Sequence, residues 1–123
     1  MPDSMKVNRP AAANANERGD LLRGALEMLI LRTIEDGPKH GYAITEAILA
    51  ASEDVLDIDE GSMYPALYRM QRRGWVEAEW GRSDNNRRAK FYAITVEGRR
   101  QLDSAARRWS RFSRAVARVM EPA

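Results

Sequence analysis

An alternating pattern in the second half of the chain constrains the fold most. Two β-prone runs between Trp75 and Thr95 flank a polar loop, Arg82–Arg88, that follows a glycine. The strands should share one apolar face, made of Val76, Ala78, Trp80, Tyr92 and Ile94. The seven-residue loop is too long for a tight turn, and its Asn85 and Asn86 tolerate positive φ. Because the loop carries cations, this hairpin suits a phosphate backbone better than a hydrophobic core.

Two helical patterns open the chain. Asp20 is predicted to cap the first helix, because its carboxylate can accept free backbone N–H groups. Apolar residues then recur at helical spacing until Asp36-Gly37-Pro38, where glycine and proline end the helix. A second helix is predicted from Gly41 to about Ala51, with an inward face formed by Ile44 and Ile48.

A third helix is predicted directly before the hairpin. Ser52-Glu53-Asp54 closes the second helix, and Val55–Ile58 could form a short strand. Asp59 or Glu60 then caps a helix that Gly74 ends, and Pro65 is tolerated within about a turn of its start. Its inward face should be Met63, Leu67 and Met70. A helix followed at once by a basic hairpin indicates a recognition helix and its wing, and so a winged helix-turn-helix DNA-binding domain.

The last helical pattern predicts a dimerisation helix. Thr95 should cap this helix, with Glu97 in its first turn. An apolar seam repeats at heptad spacing through Leu102, Ala106, Trp109, Ser113, Val116 and Met120, flanked by Ala105, Phe112 and Val119. The outer face should carry Arg99, Arg107, Arg111, Arg114 and Arg118. The helix could pack back on its own domain, but a two-fold homodimer is favoured.

These patterns define a mainly α fold with a small β-hairpin, in the α+β class. Residues 1–19 are predicted to be a disordered tail, residues 20–95 a winged helix-turn-helix domain, and residues 96–121 a C-terminal dimerisation helix. A chain of 123 residues has room for one domain with one core.

Composition excludes several classes of function. The chain has no apolar run of about 18 residues and no apolar signal core, so neither a membrane span nor export is expected, and the cytoplasm is predicted. With no cysteine and one histidine, disulfides and thiolate or histidine-rich metal centres are excluded. No nucleophile–base pair, glycine-rich phosphate loop or metal-ligand spacing is present, so we expect neither an enzyme nor a cofactor.

The net charge of +2 hides a strong asymmetry along the chain. Residues 35–60 hold eight acidic side chains against Lys39, or −7. Residues 69–100 hold nine basic side chains against four acidic ones, or +5. Such charge runs are often only solvated faces, but here the basic block coincides with the predicted helix and hairpin.

Over residues 21–120 the sequence resembles the PadR-type winged-helix transcriptional regulators, specifically the short form with one C-terminal dimerisation helix. No single matching string is specific, but their order and spacing together are. The strings are Gly24-Ala25-Leu26-Glu27-Met28-Leu29-Ile30-Leu31, Gly37-Pro38-Lys39-His40-Gly41-Tyr42-Ala43-Ile44, Glu60-Gly61-Ser62-Met63-Tyr64-Pro65-Ala66-Leu67, Arg73-Gly74-Trp75-Val76, Trp80-Gly81, Asn85-Asn86-Arg87-Arg88-Ala89-Lys90-Phe91-Tyr92, and Thr95 to Gly98.

The resemblance implies a dimeric repressor that binds a pseudo-palindromic operator on double-stranded DNA and is released by a small molecule, here an aromatic or planar one. By position, the groove-facing side of the recognition helix would carry Ser62, Tyr64, Pro65 and Arg69. The DNA backbone would be contacted near the second helix by Lys39, His40, Gly41 and Tyr42, and at the wing by Arg82, Arg87, Arg88 and Lys90. Trp109 matches a tryptophan that lines an effector pocket between subunits.

Several of these residues have a competing structural role. Tyr64 could equally pack its ring near the helix start, and Tyr42 could close the corner between the first two helices. His40 is expected to cap a helix or face water and not to act as a pH switch. Trp75 and Trp80 fit hairpin packing better than ligand contacts, and Trp109 could belong only to a dimer core. For the whole chain the alternative is a winged-helix adaptor that binds protein, against which the basic wing argues.

Overall fold

A computed structural model of the chain describes residues 23–121. The predicted tail over residues 1–19 and the predicted cap Asp20 lie outside this range. Residues 23–33 are helical and form α1. The other elements follow in the order β1 (Lys39–His40), α2 (Gly41–Ala51), α3 (Glu60–Arg72), β2 (Val76–Arg82), β3 (Arg88–Ile94) and α4 (Val96–Met120). The predicted fold class, helical with a small antiparallel sheet, is confirmed.

Side-chain caps fix where α3 and α4 begin. The carboxylate of Asp59 accepts a hydrogen bond from the backbone N–H of Ser62 at 2.9 Å, which sets the start of α3. The hydroxyl of Thr95 does the same for α4, accepting from the N–H of Gly98 at 3.0 Å. Both caps were predicted. At the other end of α3, Gly74 has φ of +79°, the left-handed conformation expected of a helix stop.

The hydrophobic core lies where α1, α2, α3 and the base of the sheet meet. The predicted inward faces of α2 and α3 are confirmed, because Ile44, Ile48, Met63, Leu67 and Met70 are all buried. The core is completed by Ile30, Leu31, Ile34, Ala66, Val76, Tyr92 and Leu102. Leu102 was predicted to begin the dimer seam, but in the structure it is already buried within its own chain.

The sheet has three strands in the order β1-β3-β2, all antiparallel. The predicted hairpin forms, but Arg82 pairs with Arg88, so the loop is five residues (83–87) and not seven. Of the two asparagines in the loop, Asn86 alone has a positive φ, at 60°.

The third strand is not the one suggested by the sequence. Lys39–His40 pairs with β3 on the edge that β2 leaves free, whereas residues 55–58 form no strand. Val55 is 75% exposed and follows two residues with left-handed backbone, Glu53 and Asp54. The apolar residues of this stretch therefore do not form the predicted strand, and among them Ile58 packs partly buried against the core.

Helix α4 has 25 residues and a length of about 37 Å. Its first turns pack closely on the domain, since a Cβ at Gly98 would overlap the carbonyl oxygen of Trp75. Beyond Ala106 most of its side chains are exposed. The exposed apolar side chains are Trp109, Phe112, Val116, Val119 and Met120. In the described part of the chain, no helix is both long and apolar enough to cross a membrane.

Candidate nucleic-acid interface

Three elements converge on one groove. The start of α2, the first turns of α3 and the wing (β2, β3 and loop 83–87) enclose a space of about 1030 Å³. Seven residues that the sequence placed on three separate elements line it together: His40, Gly41, Tyr42, Tyr64, Arg87, Arg88 and Lys90. Five predicted residues, Lys39, Ser62, Pro65, Arg69 and Arg82, do not line this groove.

The groove favours an anionic ligand. The first turn of α2 lies on its wall, and the N-terminal end of a helix presents free N–H groups and the positive end of the helix dipole. Arg87, Arg88 and Lys90 add three cations from the wing. Two carboxylates also line the groove, Asp84 and Glu46. The Glu46 carboxylate accepts a hydrogen bond from Tyr42, which raises the pKa of that tyrosine.

Tyr64 both packs against the domain and faces the groove. Its ring covers Gly41, where an added Cβ would lie 2.7 Å from the Tyr64 hydroxyl oxygen. The ring also lies close to Tyr92, whose pKa is raised mainly by burial and further by Tyr64. Tyr64 therefore packs on Gly41 and, being half exposed, also lines the groove, while its predicted contact with DNA stays a prediction.

Trp80 organises the cations of the wing. It shares a strand face with Val76 and Ala78 as predicted, but it is 55% exposed and lies outside the core. The guanidinium carbon of Arg88 is 4.3 Å from the centre of the Trp80 ring, and the Lys90 ammonium is 5.9 Å from it. Such cation–π contacts restrain both charged groups without neutralising them. The prediction that Trp80 serves hairpin packing is therefore incomplete.

The wing loop is held by its own hydrogen bonds. The N–H of Ser83 donates to the Arg87 carbonyl at 2.9 Å, and the N–H of Asn86 donates to the Ser83 carbonyl at 2.8 Å. The Arg82 guanidinium donates to the Asn86 carbonyl at 3.2 Å, so this predicted contact residue braces the loop. Within residues 23–121 the Arg87 side chain has no ion-pair partner, which leaves it as the free cation of the tip.

The exposed surface of α3 is wider than the predicted one, of which Ser62, Tyr64 and Pro65 are exposed and Arg69 is half-buried. At 100° per residue, the direction opposite Met63, Ala66, Leu67 and Met70 is occupied by Gly61, Pro65, Tyr68 and Arg72. Tyr68 is 61% exposed, and the Arg72 guanidinium lies 5.8 Å from the centre of its ring. Tyr68 and Arg72 were not among the predicted site residues, although the spacing of the buried residues is sufficient to place both on the exposed face.

Arg69 is engaged elsewhere. Its Nε lies 3.3 Å from a carboxylate oxygen of Glu27 on α1, and Arg73 lies 3.5 Å from the other oxygen. Glu27 is only 7% exposed, so this charge is buried and needs both partners. This ion pair ties α3 to α1 and engages the side chain that was predicted to contact DNA.

Two of the residues predicted near the second helix also have structural roles. The Lys39 ammonium donates to the Thr33 carbonyl at 2.9 Å at the end of α1, so it caps that helix. Nδ1 of His40 accepts from the N–H of Ala43 at 3.3 Å, which makes His40 the N-cap of α2 as one of its predicted roles required. Its ring packs edge-on against Phe91, with centroids 5.3 Å apart.

Tyr42 does not close the corner between α1 and α2. It is 62% exposed and points along the surface of its own helix toward Glu46, so that structural prediction is wrong. Its place in the predicted set of backbone-contacting residues is consistent with its position on the groove. Across residues 23–121, no three histidine, aspartate or glutamate side chains form a group that could hold a metal ion.

Comparisons with known proteins agree with this geometry. The model of the transcriptional regulator PadR-like family matches residues 30–104. An uncharacterised protein from Lysinibacillus sphaericus is 28% identical over 104 residues, which cover 85% of this chain and 95% of that protein. Among solved structures, a PadR-like regulator from Bacillus cereus is 29% identical with a TM-score of 0.71, covering 85% of this chain and 99% of its own. A PadR family regulator from Eggerthella lenta is 27% identical with a TM-score of 0.67, covering 91% and 96%.

Proposed function

Since the chain belongs to the PadR-like family of transcriptional regulators, we propose that it is a homodimeric cytoplasmic repressor of a pseudo-palindromic operator, released by a small aromatic or planar effector. The family consists of regulators and not of enzymes. DNA binding rests on family and fold together. The operator symmetry, the repressor role, the dimer and the effector form the proposal.

One observation carries the DNA contact. Tyr64 of α3 and the cations of the wing line the same groove, and the N-terminal end of α2 lies on its wall. A duplex lying across this surface would receive α3 in its major groove, while Arg87 and the restrained Arg88 contact phosphates on either side. Each phosphate contact would add about −0.9 to the slope of log K against log salt.

Base recognition is assigned to the second half of α3. Gly61 and Pro65 present little or no side chain, so the backbone of the first two turns can approach the duplex closely. Tyr68 and Arg72 follow on the same line, and Arg72 has no ion-pair partner within residues 23–121. An arginine in the major groove can form two hydrogen bonds to guanine. Arg72 therefore replaces Arg69 as the base-reading arginine.

The dimer is assigned to the seam of α4. Trp109, Phe112, Val116 and Met120 are exposed on one side of the helix, an apolar patch that a soluble monomer rarely leaves uncovered. Two-fold pairing of this seam would place two recognition helices on one duplex. Trp109 and Phe112, whose ring centroids are 6.0 Å apart, would then line a shared cleft near the dyad. That cleft is the proposed effector site; a dimer core without a ligand is the alternative for Trp109.

The proposal is tested by selecting duplexes from a random DNA pool with the purified full-length protein. An enriched inverted repeat, with half-sites about one helical turn apart, is the expected result. The Arg72→Ala variant, selected in parallel, should lose preference at one position in each half-site, whereas Arg32→Ala, an exposed position on α1, should not. A folded wild-type protein that enriches no sequence would contradict sequence-specific binding and favour the adaptor.

A further inference from the structure

The outer side of α4 carries an unbroken line of positive charge. Arg107, Arg111, Arg114 and Arg118 follow one another at spacings of four, three and four residues. At 3.6 residues per turn they fall within a strip of about 60°, on the side of the helix opposite Trp109. All four are exposed. We call these four residues the arginine face.

The arginine face is flanked by one acidic residue at each end, Asp103 and Glu121, and neither forms an ion pair with it in the described structure. Residues 104–120 contain no aspartate or glutamate. None of the four side chains forms a hydrogen bond or ion pair within residues 23–121, whereas Arg100 pairs with Glu97 at 3.1 Å and Arg99 donates to the Glu35 carbonyl at 3.2 Å. Like charges three and four residues apart repel each other on a helix. The helix dipole favours a cation only in the last turn, where Arg118 lies, so the other three arginines are candidates for binding an anionic ligand.

This surface is separate from the groove assigned to the operator. Every residue that lines that groove comes from β1, α2, α3 or the wing, and none comes from α4. The arginine face is also separate from the apolar seam, because the two lie on opposite sides of the same helix. Dimerisation through the seam would consequently leave the arginine face of both subunits open to solvent.

We propose that the arginine face binds the phosphate backbone of a second segment of double-stranded DNA, so that one bound dimer joins two duplex segments. The inference rests on the proposed function in one respect, because the operator is the first of the two duplex segments. Arg107 and Arg118 are separated by about 16 Å along the helix axis, a length over which duplex DNA carries roughly ten negative charges. Binding is favoured by release of the counterions that DNA condenses, a gain that a short acidic peptide does not offer. Arginine also donates two parallel hydrogen bonds to a phosphate.

The test is a bridging experiment with the full-length protein. An operator duplex is immobilised, loaded with protein and washed, and the capture of a second, fluorescent duplex of unrelated sequence is measured. The wild type should capture it, with a salt slope of about −3.6 for four phosphate contacts. Replacing all four residues (R107Q, R111Q, R114Q and R118Q) should lower capture at least tenfold, on the order expected from losing these contacts. Binding to the operator duplex, titrated separately, should stay within about twofold of wild type, since the groove lies elsewhere.

A charge-matched pair of variants separates this surface from net charge. R111Q/R114Q removes two charges from the arginine face, and R32Q/R99Q removes two from arginines that already have partners. Bridging should fall with the first and persist with the second, while circular dichroism and sedimentation confirm fold and dimer. Equal loss in both would refute the proposal, as would wild-type protein that binds operator but never captures a second duplex.

Two other results would overturn it. Binding of the arginine face to the acidic segment of another copy, residues 53–60, would assign the face to self-assembly. A peptide of that sequence would block such binding, and the second duplex would not affect it. Binding to vesicles of phosphatidylglycerol without duplex capture would assign it to an anionic membrane. Failure of operator binding in the wild type would be seen in the separate titration and would refute the proposed function first.

Discussion

Replacing Gly41 with alanine should separate folding from DNA binding at this surface. The new Cβ would lie 2.7 Å from two atoms at the end of the Tyr64 ring, too close for both to remain. The obstacle is the outer end of a half-exposed side chain, so we expect the ring to swing away while the backbone stays in place. Alanine in a helix is favoured over glycine by about 0.5–1 kcal/mol, which offsets the lost ring packing.

Stability and affinity should therefore respond differently to Gly41→Ala. The free energy of unfolding should stay within about 1 kcal/mol of wild type, because the helix gain and the packing loss are of similar size. Operator affinity should fall roughly tenfold, the equivalent of about 1.4 kcal/mol, because Tyr64 no longer faces the duplex. Urea denaturation and a fluorescence-anisotropy titration with the selected operator measure the two quantities.

Gly98→Ala provides the matched contrast. Its Cβ would overlap the carbonyl oxygen of Trp75, a backbone atom that cannot rotate away, so the cost should reach or exceed the upper end of about 1–3 kcal/mol. A Gly41→Ala protein as unstable as Gly98→Ala would show that the Tyr64 ring is fixed in place. Unchanged operator affinity would show that Tyr64 makes no contribution to DNA binding.

Three further variants test the wing, the left-handed backbone at Glu53 and the proposed effector site. Arg87→Ala with Arg88→Ala should weaken binding to all duplexes and, because a dimer loses four phosphate contacts, lower the magnitude of the salt slope by about 3.6, measured by titration at several salt concentrations. Glu53→Gly should raise the free energy of unfolding by about 0.5–1 kcal/mol in urea denaturation, because φ of Glu53 is +53° and glycine adopts that conformation without strain. Trp109→Ala should abolish the fluorescence quenching caused by planar aromatic ligands while sedimentation still shows a dimer.

Each of these has an outcome that would contradict it. An unchanged salt slope would remove the wing from the DNA contact, provided that the Arg32→Ala control is also unchanged. Destabilisation by Glu53→Gly as large as that of Asp57→Gly, at a position without positive φ, would show that Glu53 is unstrained. Quenching that survives Trp109→Ala would assign the signal to Trp75 or Trp80.

Local signals made most of the architecture predictable. Asp59 and Thr95 cap helices through hydrogen bonds that span three residues, and Gly74 ends α3 through its own backbone conformation. Apolar spacing located the buried faces of α2 and α3 for the same reason. The resemblance to the PadR-type regulators, which rests on short strings in a fixed order, is confirmed by the family match over residues 30–104.

Long-range partners explain what the sequence missed. The local sequence around Arg69 does not indicate whether its side chain faces DNA or Glu27, which is 42 residues away. Only the packing of α1 against α3 decides between these two partners. Lys39–His40 is too short to be read as a strand, and it becomes one because β3 offers a free edge. Trp80 lies on the apolar face of its strand but beyond the end of the core. The alternation therefore predicted the strand face of this side chain correctly and its burial wrongly.

The sequence by itself determined the order of the helices and the hairpin, most of the helix ends and the buried sides of α2 and α3, because these depend on contacts between near neighbours. The tertiary structure decided which of the basic side chains are free. Arg69, Arg73 and Lys39 are held by groups on α1 or just beyond its end, whereas Arg87 at the wing and Arg72 on α3 have no such partner within residues 23–121. That division follows from where a distant carboxylate or carbonyl lies in space, which spacing along the chain does not encode.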